Sequence, residues 1–222
     1  MAVLILRFSG PLQSWGNDSN FNFRRTSGYP TKSGVIGFIA SALGYSRTDS
    51  LKPLSDLKIC IRVDKEGKLL RDYQTVKSSN GKDSYIVNKY YLSDATFVVG
   101  IEGSSELIGQ IEQAIKNPAY PLFLGRRSCV PTLPIVLGKR DEKLIEAVKN
   151  EPLQALIDDG EGSKRKLKLI IDAEPDEDSD SVCDMPLSFS PKNRRHTWRS
   201  IKVLEFTKSI APEHDAFAAL EG

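Results

Sequence analysis

The sequence is poor in the residues that support metal or disulfide chemistry, with three cysteines and two histidines among 222 residues. Cys60, Cys129 and Cys183 are odd in number, and no CxxC occurs, so neither a disulfide framework nor a structural zinc site is expected. Cys60, inside the apolar run LKICIRV, reads as a small core residue. Long hydrophobic runs are missing as well. No stretch approaches the roughly 18–20 apolar residues that would span a bilayer. The opening MAVLILRFSG is interrupted by Arg7 and lacks the basic leader of a signal peptide, so it reads as a first strand. These absences predict a soluble, cytosolic chain with no cofactor, no metal and no membrane partner. A one-signed charge is absent too: 31 Lys and Arg against 29 Asp and Glu leave a net +2, a balance that alone does not indicate a nucleic-acid binder.

The charges that are present are segregated. Residues 172–184 (DAEPDEDSDSVCD) carry seven acids and no base, and read as a solvated acidic loop. Bases gather at Arg24, Arg25 and Lys32, at Arg126 and Arg127, and at Lys192, Arg194, Arg195 and Arg199. A basic surface is therefore compatible with the modest total.

Hydrophobic patterning predicts a strand over residues 2–9, ended by Gly10-Pro11, then a polar loop to 31. Thr31 is placed to cap a helix over 32–44 that stops at Gly44. Apolar residues on most of its faces predict that it is sandwiched, and Gly34 and Gly37 predict close approach of another backbone. Residues 57–63 alternate as a strand, 66–68 turn, and 69–91 form two polar strand-like arms with a tip at Ser78-Ser79-Asn80-Gly81. A strong strand at 95–101 precedes an amphipathic helix over 105–116, closed by Asn117-Pro118. This order points to an α+β, ferredoxin-like βαββαβ domain, the architecture of many RNA-recognition modules. Its fourth strand comes from either Pro131–Leu137 or Leu167–Ile171. One or two short helices broken at Pro152, a late strand over 198–206 and a frayed tail from Ile210 complete the chain. The expected division is 1–137, with a protruding β-hairpin thumb at about 69–91, and a smaller β-rich C-terminal region over 138–222.

Three segments carry a family resemblance: Gly10-Pro11-Leu12-Gln13-Ser14-Trp15-Gly16 after the first strand, Pro30-Thr31-Lys32-Ser33-Gly34-Val35-Ile36-Gly37 opening the first helix, and Leu124-Gly125-Arg126-Arg127-Ser128-Cys129 after the second. Arg71-Asp72-Tyr73-Gln74-Thr75-Val76 and Tyr91-Leu92-Ser93-Asp94-Ala95 add to the set. Together they resemble the CasD family, the handle-binding subunit of the type I-E CRISPR Cascade complex. The resemblance covers about residues 1–137. It implies a RAMP-type, RRM-like fold with a thumb, and a non-catalytic subunit that binds the repeat-derived 5′ handle of crRNA. It further implies that the chain caps a filament of backbone subunits and touches the large subunit, meeting target DNA at most indirectly.

With that resemblance, chemistry can be assigned to residues. Arg126 and Arg127, beside Gly125 and Ser128, offer guanidinium forks to phosphate oxygens. Phe123 either stacks on an unpaired base or belongs to the core. Gln13, Trp15 and Gly16 lie at the exit of the first strand, where Trp15 either packs on a base or ribose or plugs the core. Thr31, Lys32, Ser33 and Gly34, with Arg25 nearby in sequence, gather N–H groups, hydroxyls and a cation at a helix N-terminus suited to phosphate. In the thumb, Arg71, Lys77, Lys82 and Lys89 alternate with Tyr73, Tyr85, Tyr90 and Tyr91, a mixture suited to a single strand with splayed bases. Arg71 and Lys89 are the foremost contacts expected there. The alternative function is a metal-independent endoribonuclease acting on CRISPR repeats, which needs an acid and a base at a ribose 2′-OH. His196 and His214 both fall outside the matched region.

Overall fold

In the computed structural model, residues 1–16, 22–79, 83–155, 164–174 and 177–209 are described. The first strand, β1 (Ala2–Ser9), is apolar on both sides because it is covered on both sides. Leu4, Leu6 and Phe8 enter one core cluster, while Val3 and Ile5 enter a second across the sheet. β1 lies between β7 (Thr96–Gly103) and β8 (Val136–Arg140), and β4 (Lys58–Lys65) flanks β7 on its other side. β9 (Lys164–Asp172) pairs with β4, followed outward by β11 (Arg195–Ser209) and β10 (Asp180–Ser188). The seven-stranded order is β10-β11-β9-β4-β7-β1-β8, with every ladder antiparallel. Both candidates for a further strand are therefore used: the first contributes to β8 beside β1, and the second lies in β9 beside β4.

Helix α1 (Lys32–Ala42) begins where expected, with Thr31 Oγ1 accepting from the Gly34 N–H at 3.2 Å. Its C-terminal turn passes into Gly44 at φ +82°. Val35, Ile36, Phe38 and Ile39 are all buried, as a helix apolar on most faces requires. The approach at Gly34 is made by a ring, not by backbone: a Cβ there would lie 2.7 Å from the Trp15 indole. Helix α3 (Ser105–Lys116) is capped by Ser104 and buries Ile108, Ile111 and Ile115 from one stripe. The short α2 (Lys52–Ser55) lies between α1 and β4 in the chain. α1 and α3 share the first core cluster, whereas α4 (Leu144–Asn150) supplies Ala147 and Val148 to the second. Cys60 sits in that second cluster, where burial pushes its thiol up to about 12, so it is a packing residue without thiolate character.

Two features of the C-terminal half differ from expectation. The acidic run is not one solvated loop: Asp172 ends β9, and Asp180 to Asp184 belong to β10. Beneath α4, the Arg62–Asp64 pair is fully buried, and Arg62 donates to the carbonyls of Val148, Glu151 and Pro152. Asp64 in turn accepts from the Gln154 N–H. This pair satisfies the backbone where α4 ends and pins residues 148–154 to the sheet.

A second sheet stands at the end of the first. β5 (Lys68–Lys77) and β6 (Ser84–Ser93) form an antiparallel hairpin registered from Lys68↔Ser93 to Lys77↔Ser84. Two short strands, β2 (Leu12–Gln13) and β3 (Phe23–Arg24), pair with β6 at its base. The predicted thumb region is thus a hairpin, and part of its predicted tip, with Lys82, falls outside the described residues. The tail from Ile210, with His214, does too.

Candidate nucleic-acid interface

The hairpin base draws together three segments that are far apart in the chain. Residues 11–16 leave β1, residues 22–27 return along β6, and residues 123–129 fold over both. Ser14 N–H donates to the Leu124 carbonyl at 3.1 Å, and Ser14 Oγ donates to the Tyr90 carbonyl at 3.0 Å. Gly125 takes φ +83°, and a Cβ there would strike the Ser14 carbonyl oxygen at 1.8 Å, so only glycine permits this contact. The turn is closed by Leu124 N–H to the Cys129 carbonyl and by Cys129 N–H to the Arg126 carbonyl.

This turn presents the arginine pair. The Arg126 guanidinium lies over the Tyr91 ring, 4.8 Å from its centroid, and Nη2 donates to the Arg24 carbonyl at 2.7 Å. Its Nη1 is buried and has no hydrogen-bond partner among the described residues. Arg127, Ser128, Gly16, Arg24 and Arg25 are exposed. A cation held by a ring and a carbonyl, with one donor unspent and further cations close in the fold, can accept an anionic oxygen. Phe123 is half-buried beside it.

Hairpin alternation divides the remaining candidates. Residues opposite each other share a face, so Arg71, Tyr73, Lys77 and Tyr90 lie on one face, and Lys89 and Tyr91 on the other. Arg71 Nε donates to Asn88 Oδ1 at 2.8 Å and its guanidinium sits 5.8 Å from the Tyr73 ring. Lys89 Nζ donates to Gln74 Oε1 at 2.6 Å, on the same side of the hairpin as the Tyr91 platform for Arg126. Arg71 and Lys89 thus cannot share one flat surface. Tyr91 was expected as one of the hairpin's aromatic faces, but not as the platform for Arg126, and the buried Asn88 was missed, because it is not distinguishable in sequence from other hairpin positions.

Gln13 and Trp15 are not surface groups. Trp15 is completely buried, stacked on Phe8 at 5.6 Å, and its Nε1 donates to Gln13 Oε1 at 3.1 Å. Gln13 Nε2 donates to the carbonyls of Phe8 and Ala95. These side chains plug the sheet end and satisfy its backbone; they have no face left for a base.

The α1 N-terminus is likewise already filled. Lys32 N–H donates to Asp184 Oδ2 at 2.8 Å, and Lys32 Nζ reaches Asp172 Oδ2 at 2.8 Å. Arg199 grips Asp184 with Nε at 2.6 Å and Nη2 at 3.0 Å, and Asp172 with Nη1. Burial works against the Arg199 charge, but the two carboxylates outweigh it and hold its pKa above the ordinary value. Thr31, Lys32 and Ser33 are buried and Gly34 packs on Trp15. An anion does sit at this helix end, as the dipole favours, but the chain supplies it. The expected phosphate site at Thr31, Lys32, Ser33 and Gly34 is therefore corrected, and Arg199 leaves the expected basic cluster.

Comparison with known proteins bears on this arrangement. The family model described as CRISPR-associated protein (Cas_Cas5) matches residues 3–202. The chain belongs to the Cas5 family. It is 34% identical over 158 residues to the CRISPR system Cascade subunit CasD of Escherichia coli, covering 62% of this chain and 70% of that protein. A chain in a structure of a CRISPR RNA-guided surveillance complex superposes with a TM-score of 0.79 at 30% identity, over 98% of this chain and 96% of that one. A crystal structure of a Cas protein superposes at 0.73 with 37% identity, over 91% and 94% of the two chains.

Proposed function

We propose that this Cas5-family chain is a non-catalytic subunit of a type I-E Cascade surveillance complex that holds the 5′ handle of crRNA at the hairpin base. In this reading it works in the cytoplasm, caps the backbone filament and adjoins the large subunit. The names of its relatives, a Cascade subunit and an RNA-guided surveillance complex, motivate the assembly. The observation that carries RNA binding is the 124–128 turn, which sets Arg126, whose Nη1 has no hydrogen-bond partner among the described residues, beside exposed Arg127, Ser128, Arg24 and Arg25. We read β1, α1, β4, β7, α3 and β8, in the sheet order β8-β1-β7-β4, as the ferredoxin-like βαββαβ unit and β5–β6 as its thumb. The division between 1–137 and 138–222 is then one of role, with the first region holding RNA and the second buttressing it.

The test is binding of handle-containing RNA over a salt series, with a thermal melt of each variant. Charge-assisted hydrogen bonds contribute roughly 1.5–3 kcal/mol each. Replacing both Arg126 and Arg127 with Ala therefore weakens binding by roughly 100-fold, at 1.4 kcal/mol per tenfold. Arg→Lys at both positions restores charge without the fork and rescues in part. Arg127 has no hydrogen-bond or ion-pair partner among the described residues, so Arg127→Ala alone reads RNA contact without disturbing the turn. Unchanged affinity of both Ala variants at every salt would overturn the assignment.

The endoribonuclease reading has less support. His196 lies opposite Pro186 in the β10–β11 pair, at the other edge of the sheet from the β1–β8 pair. Burial and the nearby Arg194 hold its pKa below the usual histidine value. A specific cut of repeat RNA by the purified chain in EDTA, abolished by His196→Ala, would reverse this conclusion.

A further inference from the structure

A second cationic groove lies where the β5–β6 hairpin joins the larger sheet. Its cavity of about 420 Å³ opens between the β4–β5 turn, the β6–β7 connection at Ser93 and Asp94, and the first half of β9. Lys65, Lys68, Lys166 and Lys168 line it, and all four are exposed. Lys65, Lys68 and Lys166 have no carboxylate partner among the described residues. The acids that line the groove are largely spent, and Glu205 stands outside it opposite Lys168 in the β9–β11 ladder. Asp64 is buried against Arg62 and the Gln154 N–H, and Asp94 accepts from Ser93 Oγ. Glu66 holds Lys168 at 2.9 Å in an exposed pair that solvent and salt screen.

The geometry of the groove is fixed by its turn. Gly67 takes φ +75°, and a Cβ there would meet the Ser93 carbonyl oxygen at 2.5 Å, so the β4–β5 turn is locked against the start of the β6–β7 connection. Lys166 and Lys168 alternate along β9 on one face, about 6.8 Å apart by strand rise. Val63, opposite Lys168 in the β4–β9 ladder, is the apolar residue in the lining, and it is itself buried.

We propose that this groove binds the phosphodiester backbone of a single nucleic-acid strand. Exposed lysines clustered along one groove, three of them without a carboxylate partner among the described residues, suit successive phosphates, which need cations but no apolar pocket. An acidic protein segment has the same charge, but it anchors through apolar side chains, and the one apolar side chain larger than glycine in this lining, Val63, is buried. RNA and DNA share the backbone chemistry, so either can supply the strand. The proposal does not depend on the role of Arg126 and Arg127.

The experiment uses the full chain and sequence-neutral probes: labelled oligouridylate, oligothymidylate of equal length, and poly-glutamate as an acidic-polypeptide control. The variant replaces Lys65, Lys68 and Lys166 with Gln, and a companion replaces them with Arg. The Gln variant should melt like wild type and bind oligonucleotide roughly tenfold more weakly at low salt. Its salt dependence should be shallower by about 0.7 for each phosphate that a lysine no longer neutralises, and the Arg variant should behave as wild type. Weaker binding of oligouridylate alone assigns the groove to RNA, and an equal weakening for both probes assigns it to either strand. Wild-type affinity and salt slope in the Gln variant overturn the proposal. So does loss of poly-glutamate binding with oligonucleotide binding intact, which would assign the groove to a protein. Unchanged groove variants alongside weakened Arg126→Ala/Arg127→Ala binding would sink this proposal and leave the handle assignment standing.

Discussion

The α1 N-terminus and the 124–128 turn look alike as stretches of sequence: each joins glycine, a hydroxyl residue and cations in the way an anion site requires. In the fold they part company. At α1, Asp184 accepts the Lys32 N–H and Asp172 the Lys32 ammonium, while Arg199 ties the two carboxylates together. At the turn, Arg126 is steadied by a ring and a carbonyl, which leave its charge uncompensated among the described residues. A cation backed by neutral groups remains available to a ligand, whereas one backed by carboxylates does not. Basic motifs become binding sites by what the fold fails to bring against them.

The strongest way to break this contrast is to unseal α1. Asp184→Ala leaves the Arg199 guanidinium with one carboxylate and the first turn of α1 without its acceptor. Removing one partner of a buried pair costs about 3–5 kcal/mol. The expected outcome is a large drop in melting temperature. A wild-type melt would show that the clasp does not hold β10 to α1.

Lys32→Met is a milder variant with a sharper reading. Arg199 still engages the partly exposed Asp172, so the drop in melting temperature should be smaller than for Asp184→Ala, and affinity for handle RNA should not change. Weakened RNA binding with an intact melt would make α1 a phosphate site after all.

The smallest effect lies between the two extremes, at Glu112. This carboxylate accepts from Lys116 at 2.7 Å and pairs with Lys139 of β8 at 3.0 Å, and both lysines are half exposed. Those two hydrogen bonds hold its pKa below the ordinary carboxylate range. The folded value lies below the unfolded one, so the stabilisation is complete above the unfolded pKa and is lost as pH falls through the folded value. A Lys116→Met, Lys139→Met variant should melt slightly below wild type at neutral pH, and the gap should close in acid. A gap that persists below the folded pKa would mean that the lysine stems, not their charges, hold α3 to β8.

Much of this molecule is legible from local pattern. The Thr31 cap, the buried stripe of α3 and the alternation of β4 all follow from periodicities that a few consecutive residues display. The glycine at 125 stood out by its place before two arginines, although the need for it, the Ser14 carbonyl, lies across the fold. What local pattern does not carry is charge pairing and burial between distant segments. Trp15 presented two roles, and stacking on Phe8 decided for the core. The acidic run read as a solvated loop, because nothing near it in the chain is its partner.

The sequence by itself determined β1, α1, β4, β7 and α3, the Thr31 cap and the Cas5-type motifs, since each depends on neighbours within a turn or a strand. Tertiary structure alone decided which cations stay free. Asp184 and Asp172 stand 152 and 140 residues from Lys32, and closure of β9, β10 and β11 onto α1 brings their charges into contact. Coulomb attraction acts over distance in space and is steepened by burial, so an ion pair is settled only once the chain has closed.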